Sequence, residues 1–210
     1  ETLKLFMSGN GASTYKLLCD HQLFDQLVPQ VAHLIKDGSN NAAKLIEQAF
    51  INTDIRISSN KRVTPAFIYA ALLWPAVEKL AAYYTDRGSS PTYALSKAAG
   101  EVIAKQISVT AIPRRFTMPM REIWDLQLQL PRRGGHRAKR LSENPRFRAA
   151  YDFILLREQA GEDLAGLGDW WTQYQEADEE QKLKMSELIS NTGNRRRRSR
   201  RPRHKKDSKD

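Results

Sequence analysis

Cysteine is almost missing from this chain: Cys19 is the only one in 210 residues. A single thiol excludes an internal disulfide framework, fits a reducing compartment, and cannot build a zinc site of familiar ligand pattern. In its setting, Tyr15-Lys-Leu-Leu-Cys-Asp, Cys19 is expected to be a small buried apolar residue rather than a reactive thiol. No apolar run approaches the ~18 residues of a membrane span, and the N-terminus has no signal-peptide pattern. Phosphate-binding and nucleophile-elbow motifs are absent, and His21, His33, His136 and His204 lack metal-ligand spacing. Gly9-Asn10-Gly11 is too short a glycine motif for a phosphate loop and reads as a turn. The carboxylates Asp178-Glu179-Glu180 at a helix start read as complements to the helix dipole rather than as metal ligands. Strand-like alternation is missing as well. These absences leave an all-α protein without catalytic machinery of its own.

What is present is charge, laid out in blocks. Residues 1–113 carry 11 Lys/Arg and 9 Asp/Glu, whereas residues 114–148 carry 10 and 3, a net charge of +7. Residues 149–194 reverse the sign with 3 against 10, and residues 195–210 return to 10 against 2, within a total of +10. Two basic blocks, one interleaved with apolar residues and one bare, point to a polyanion. Lys/Arg arrays bind phosphate backbones by releasing condensed counterions.

Hydrophobic residues at 40%, with 4 Trp, 7 Tyr and 7 Phe, suffice for a real core. Apolar residues at i, i+3 and i+4 recur through nearly every segment. The chain opens at Glu1 already in helical rhythm (Leu3, Leu5, Phe6), which reads as a fragment. Ser13 is expected to cap a short helix bearing Tyr15, Leu17 and Leu18, Pro29 to open another, and Asn40 or Asn41 to cap the next. Thr64-Pro65, Ser90-Pro91 and Asn144-Pro145 are cap–proline helix starts. The run opened by Pro65 is apolar nearly all round, so it should form the centre of the core, kinked or split at Pro75. The domain reading is 1–57 as the end of a neck and a first lobe, 58–190 as a helical body, and 191–210 as a disordered Arg-rich tail.

Within the first basic block, Met120, Ile123, Trp124, Leu126, Leu128 and Leu130 should form a buried face, leaving Arg121, Asp125 and Gln129 as a polar stripe. Arg114 and Arg115 sit at a helix start. Arg133, Arg137 and Arg140 would share a face if a helix begins near Arg133. Arg146 and Arg148 fall in the first turn of another helix, where the macrodipole disfavours cations. Internal pairing competes with a phosphate partner, through Arg121–Asp125, Arg148–Asp152 or fold-back of the acidic segment. Trp170-Trp171, in that segment, reads as a core anchor rather than a base-stacking pair. The tail (Arg195, Arg196, Arg197, Arg198, Arg200, Arg201, Arg203) has no apolar seam, so an amphipathic membrane anchor is not expected. Attraction to anionic lipid headgroups stays open, as does nuclear import, with nucleic-acid phosphate the first choice.

Several strings resemble the C-terminal portion of bacterial poly(A) polymerases, relatives of the tRNA nucleotidyltransferases. They are Leu3-Lys-Leu-Phe6, Tyr15-Lys-Leu-Leu18, Leu23-Phe24, Thr53-Asp-Ile-Arg56 and Arg62-Val-Thr-Pro-Ala-Phe67. The likeness is strongest over Ile112-Pro-Arg-Arg-Phe116, Arg121-Glu-Ile-Trp-Asp-Leu-Gln127, Pro131-Arg-Arg133, Arg137-Ala138 and Asn144-Pro-Arg-Phe-Arg-Ala-Ala-Tyr-Asp152. It implies an all-α, multi-helix neck and body with a disordered basic C-terminal tail, gripping single-stranded 3′ regions of RNA. A separate N-terminal catalytic head would add AMP from ATP to the 3′ end, with Mg2+, in mRNA polyadenylation and decay. The family's catalytic signature, Gly-Ser followed by Asp-x-Asp, has no counterpart here. Gly38-Ser39 is followed by Asp54-Ile-Arg56, with arginine in place of the second carboxylate. The chain alone is therefore expected to be inactive, to hold no cofactor, and to have RNA, the missing head and RNA-decay factors as partners.

The expected RNA contacts are Arg114, Arg115, Arg121, Arg132, Arg133, Arg137, Lys139, Arg140, Arg146 and Arg148, joined by the tail arginines. The expected location is the bacterial cytoplasm, with peripheral membrane association through the tail. Two alternatives stay open: a stand-alone helical nucleic-acid adaptor, and a protein-interaction module whose acidic segment docks on a basic surface.

Overall fold

The computed structural model describes the backbone of residues 2–199 and the side chains of residues 3–189 apart from Asn40. Among the described residues the chain forms helices only, α1 (Thr2–Phe6), α2 (Gly11–Asp20), α3 (Phe24–Leu27), α4 (Pro29–Lys36), α5 (Asn40–Ser58), α6 (Pro65–Asp86), α7 (Pro91–Ile107), α8 (Arg114–Gln129), α9 (His136–Ser142), α10 (Phe147–Gln159), α11 (Leu167–Glu176) and α12 (Glu179–Ser199). The all-α expectation holds. The α12 backbone continues past position 191, where the tail was expected to begin, and residues 200–210 lie outside the described residues.

α6 is the centre of the core, as its sequence demanded. It buries an unbroken run from Ile68 to Val77 and starts on Pro65, whose missing N–H leaves no helical bond unmade at that position. Pro75 does not split it: the helix runs through the proline, which is itself buried. Helices α4, α5, α7, α8 and α10 surround it, and the packing they supply outweighs the roughly 3 kcal/mol that an interior proline costs. Trp124 on α8 is fully buried and donates its indole N–H to the Ala70 carbonyl at 3.1 Å, which fixes α8 against α6. Residues from both sides of positions 58–63 share this core, among them Phe6 and Phe50 before it, stacked at 4.3 Å, and Trp74 and Phe153 after it.

A second apolar cluster joins the C-terminal half of α8 to α9, α10 and α11. Trp171 is its fully buried centre, packed on Phe147 at 5.0 Å and donating its indole N–H to the Leu130 carbonyl. The Trp170-Trp171 pair is thus chiefly an anchor. Gln127 ties the two clusters, donating to the Ile123 and Ala150 carbonyls.

Two helix starts differ from the local pattern. α2 begins at Gly11, not after Ser13, because Asp54 reaches its first turn from α5: its two carboxylate oxygens accept from the Gly11 and Ala12 amides at 2.7 and 3.0 Å. Only glycine fits position 11, since a Cβ there would lie 2.9 Å from the Phe6 carbonyl oxygen. α5 is preceded by Ser39 rather than capped by Asn40 or Asn41. Cys19 is exposed, contrary to expectation, because α2 buries its Gly11 and Tyr15 side and leaves the last turn at the rim.

Candidate nucleic-acid interface

α8 positions the first arginines. Pro113 sets the entry to the helix, and Arg114 and Arg115 are exposed in its first turn. The Arg115 guanidinium lies 4.9 Å over the Phe116 ring, which in turn packs toward Tyr69. Seven residues on, Arg121 is half-buried beside α7; a Cβ built on Gly100 would lie 3.4 Å from its Nη2. Arg121 and Asp125 form no direct ion pair; burial pushes the Asp125 carboxyl above its ordinary range, and the Arg121 charge only partly offsets this. Sixteen helical residues separate the two ends of α8 by about 24 Å, so the basic block occupies two regions rather than one.

The far end carries the remainder. Gly135, at φ 59°, delays the start of α9 until His136. Arg133, Arg137 and Arg140 therefore do not share one helical face. Arg137 and Arg140 project from α9, exposed, while Ala138 and Leu141 are buried beneath them. Arg133 precedes the helix and folds back, its guanidinium 4.9 Å over the Trp170 ring. Its Nε is enclosed without a hydrogen-bond partner, and burial lowers its pKa. Arg132, next to it, is exposed.

Three of the expected contacts are paired within the chain. Asn144 accepts from the Arg146 amide and α10 begins at Phe147, so Arg146 stands at the helix boundary and reaches back to Glu122 at 2.6 Å. Arg148 meets Asp152 at 3.0 Å, the i+4 pair visible in the sequence. Lys139 approaches Glu179 at 3.9 Å. That last contact, with the Gly135 amide donating to the Ser186 carbonyl, is where the acidic segment folds back on the basic block. The other α12 carboxylates near it, Glu180 and again Glu179, pair with Lys184 and Lys182 of their own helix. Asp178 and Gln181 close the α12 start reciprocally, as a capping box.

Arg114, Arg115, Arg132, Arg137 and Arg140 thus remain exposed and without an ion-pair partner among the described residues. Guanidinium groups in this state keep their bidentate donor edges available to phosphate oxygens. The side chains of Arg195, Arg196, Arg197 and Arg198, and the whole of Arg200, Arg201 and Arg203, lie outside the described residues.

One polar centre escaped sequence reading. Arg157, only 8% exposed, donates to Gln127 at 3.2 Å, Glu78 at 3.3 Å and Glu162, and stacks 4.8 Å over Trp74. It borders a cavity of about 590 Å³ at the junction of α4, α5, α6 and α10. Burial pushes the Glu78 carboxyl upward, with Arg157 opposing the shift. A lone arginine in an acidic stretch carries no local signal, because its partners are distant in sequence. Among the described residues, no group of three or more His, Cys, Asp or Glu side chains assembles to hold a metal. No helix there is long and apolar enough to cross a membrane.

Comparison with known proteins settles the relationship. The family profile described as "Polymerase A arginine-rich C-terminus" matches residues 87–205. The chain belongs to this family. A second profile, described as "Probable RNA and SrmB- binding site of polymerase A", matches residues 1–35. Poly(A) polymerase I of Escherichia coli O6:H1 is 40% identical over 208 residues, covering 97% of this chain and 44% of that protein. The Salmonella typhi enzyme of the same name is 39% identical over 205 residues, with 95% and 44% covered. That of Haemophilus influenzae is 37% identical over 185 residues, with 87% and 41% covered. The chain is homologous to the C-terminal part of bacterial poly(A) polymerase I and spans less than half the length of these curated relatives. Positions 112–152, where the resemblance was strongest, lie wholly inside the arginine-rich match.

Proposed function

We propose that this chain is the RNA-gripping part of a bacterial poly(A) polymerase, holding single-stranded 3′ regions while a catalytic part outside it adds AMP from ATP, with Mg2+. The observation that carries this reading is the set of five exposed, unpaired arginines at the two ends of α8, in a chain homologous to polymerase A. Unpaired cations on rigid helices bind a sugar–phosphate strand without reading its bases, since phosphate contacts position but do not specify. That suits an enzyme with many RNA substrates. Arg114, Arg115, Arg132, Arg137 and Arg140 are the proposed backbone contacts. Arg121 and Arg133 serve as half-buried supports, and Lys139, Arg146 and Arg148 contribute only after giving up internal partners. The tail arginines act as a low-specificity tether. Cytoplasmic residence and docking of RNA-decay factors belong to the same proposal.

Anisotropy titration of a labelled single-stranded RNA with the chain tests the reading. Binding that weakens steeply with salt is the expected result, at a slope near −0.7 per phosphate contact. Absence of binding at low salt, or binding indifferent to salt, overturns it.

A further inference from the structure

The hairpin of α6 and α7 carries a cluster that neither the core nor the basic block explains. Tyr83 and Tyr93, on either side of its turn, are 46% and 59% exposed. Each stands four residues before a cation, Arg87 just past the end of α6 and Lys97 on α7. The Arg87 guanidinium stacks 3.4 Å over the Tyr83 ring and donates to the Tyr83 carbonyl at 3.3 Å. Lys97 Nζ lies 4.2 Å over the ring of Tyr84. Tyr84 donates its hydroxyl to Glu101 at 2.7 Å and meets Tyr83 edge-on at 5.5 Å. The hydrogen bond to Glu101 is the first cause that raises the Tyr84 phenol pKa.

Folding accounts for Tyr84, whose contacts with Glu101 and Lys97 bridge α6 to α7, but not for the exposure of the Tyr83 and Tyr93 rings. Ala94, Leu95 and Ala98 close the hairpin beneath, and Tyr93 projects away from them. Arg87 and Lys97 have no ion-pair partner among the described residues, although Asp86 and Glu101 are close in sequence. Two exposed rings, Tyr83 carrying the Arg87 guanidinium and Tyr93 on the next helix, thus stand beside a second cation, Lys97 over Tyr84. Rings and cations free of carboxylates together match what unpaired bases and their phosphates require. Aromatic faces accept any base, and the adjacent charge holds the backbone.

We propose that Tyr83 and Tyr93, with Arg87 and Lys97, form a base-stacking platform for single-stranded RNA. It is separate from the arginines of α8 and α9 and rests on the RNA-binding function proposed above. Arg121 links the two: it lies beside Gly100, one helical turn along α7 from Lys97. A strand leaving the platform therefore meets the polar side of α8.

The test compares the full chain with the double variant Tyr83→Ala/Tyr93→Ala, and with Tyr83→Phe/Tyr93→Phe. Affinity for oligoadenylate and for an abasic ribose-phosphate oligomer is measured across a salt series. Stacking predicts that the alanine variant binds oligoadenylate about five- to a hundredfold more weakly, while the phenylalanine variant keeps its affinity. The salt slope stays unchanged, because rings release no counterions, and the abasic oligomer binds both proteins alike. Unchanged oligoadenylate affinity in the alanine variant overturns the platform and leaves RNA binding by the chain intact. An equal loss on the abasic oligomer overturns it as well. Failure of the unaltered chain to bind any RNA removes the underlying function and the platform with it.

Discussion

Replacing Arg132, Arg137 and Arg140 together by glutamine isolates the electrostatic part of the proposed grip. All three are exposed and have no ion-pair partner among the described residues, so no internal contact is lost with them. The two arginines on α9 flank Ala138 and Leu141, which are buried and untouched, so the helical circular-dichroism signal should be retained. If each meets one phosphate of a single strand, each contributes about −0.7 to the slope of log K against log salt, and the triple variant loses about 2. Between about 50 and 200 mM salt, the unaltered chain should then lose roughly twentyfold more affinity than the variant. Anisotropy titrations on one labelled RNA at four or more salt concentrations read the slope directly. The control is Arg146→Gln with Arg148→Gln, whose partners Glu122 and Asp152 already hold them at 2.6 and 3.0 Å. Exposed pairs of this kind contribute about 0.3–0.5 kcal/mol, and the slope should change by well under one unit. A triple variant with the slope of the parent, or a control that shifts it equally, refutes the division into free and paired arginines.

Three further outcomes follow from the packing. Arg157→Met removes the donors to Gln127, Glu78 and Glu162 and the stack on Trp74; because both carboxylates keep some access to water, the loss should be about 2–3 kcal/mol, or roughly 5–10 °C in melting midpoint. An unshifted midpoint would contradict the bridging role. Asp54→Ala deprives the first turn of α2 of both acceptors and should lower stability to urea by about 1–2 kcal/mol, with Asp54→Asn intermediate. Equal effects of the two substitutions would argue against the cap. Burial raises the Glu78 pKa in the folded protein, so the native state takes up its proton before the unfolded chain does as pH falls. Relative to Glu78→Gln, the parent should therefore gain stability as pH drops from neutral through that raised value, and lose it as pH rises; parallel stability–pH curves would refute this.

Much of the scaffold was legible because helix formation is a local matter. The cap–proline starts at Thr64 and Ser90 placed α6 and α7, and the all-round apolarity of α6 marked the core. Reading failed where a distant partner intervened. Pro75 is tolerated inside α6 because five helices pack around that segment. The start of α2 is moved by a carboxylate that is 43 residues away in sequence. Cys19 looked apolar in its string but is exposed in the last turn of α2, since how far burial extends along a short helix depends on its neighbours.

The same division holds for the interface. Composition and order along the chain alone determined that cations are concentrated in two blocks, that the body is helical, and that positions 112–152 resemble polymerase A. Which arginines are free was decided only in three dimensions. Ion pairing depends on distances between residues as far apart as Glu122 and Arg146, 24 positions, and Gly135 turns Arg133 away from the α9 face onto Trp170. Charge is written into the chain residue by residue, whereas its neutralisation is a property of the packed fold.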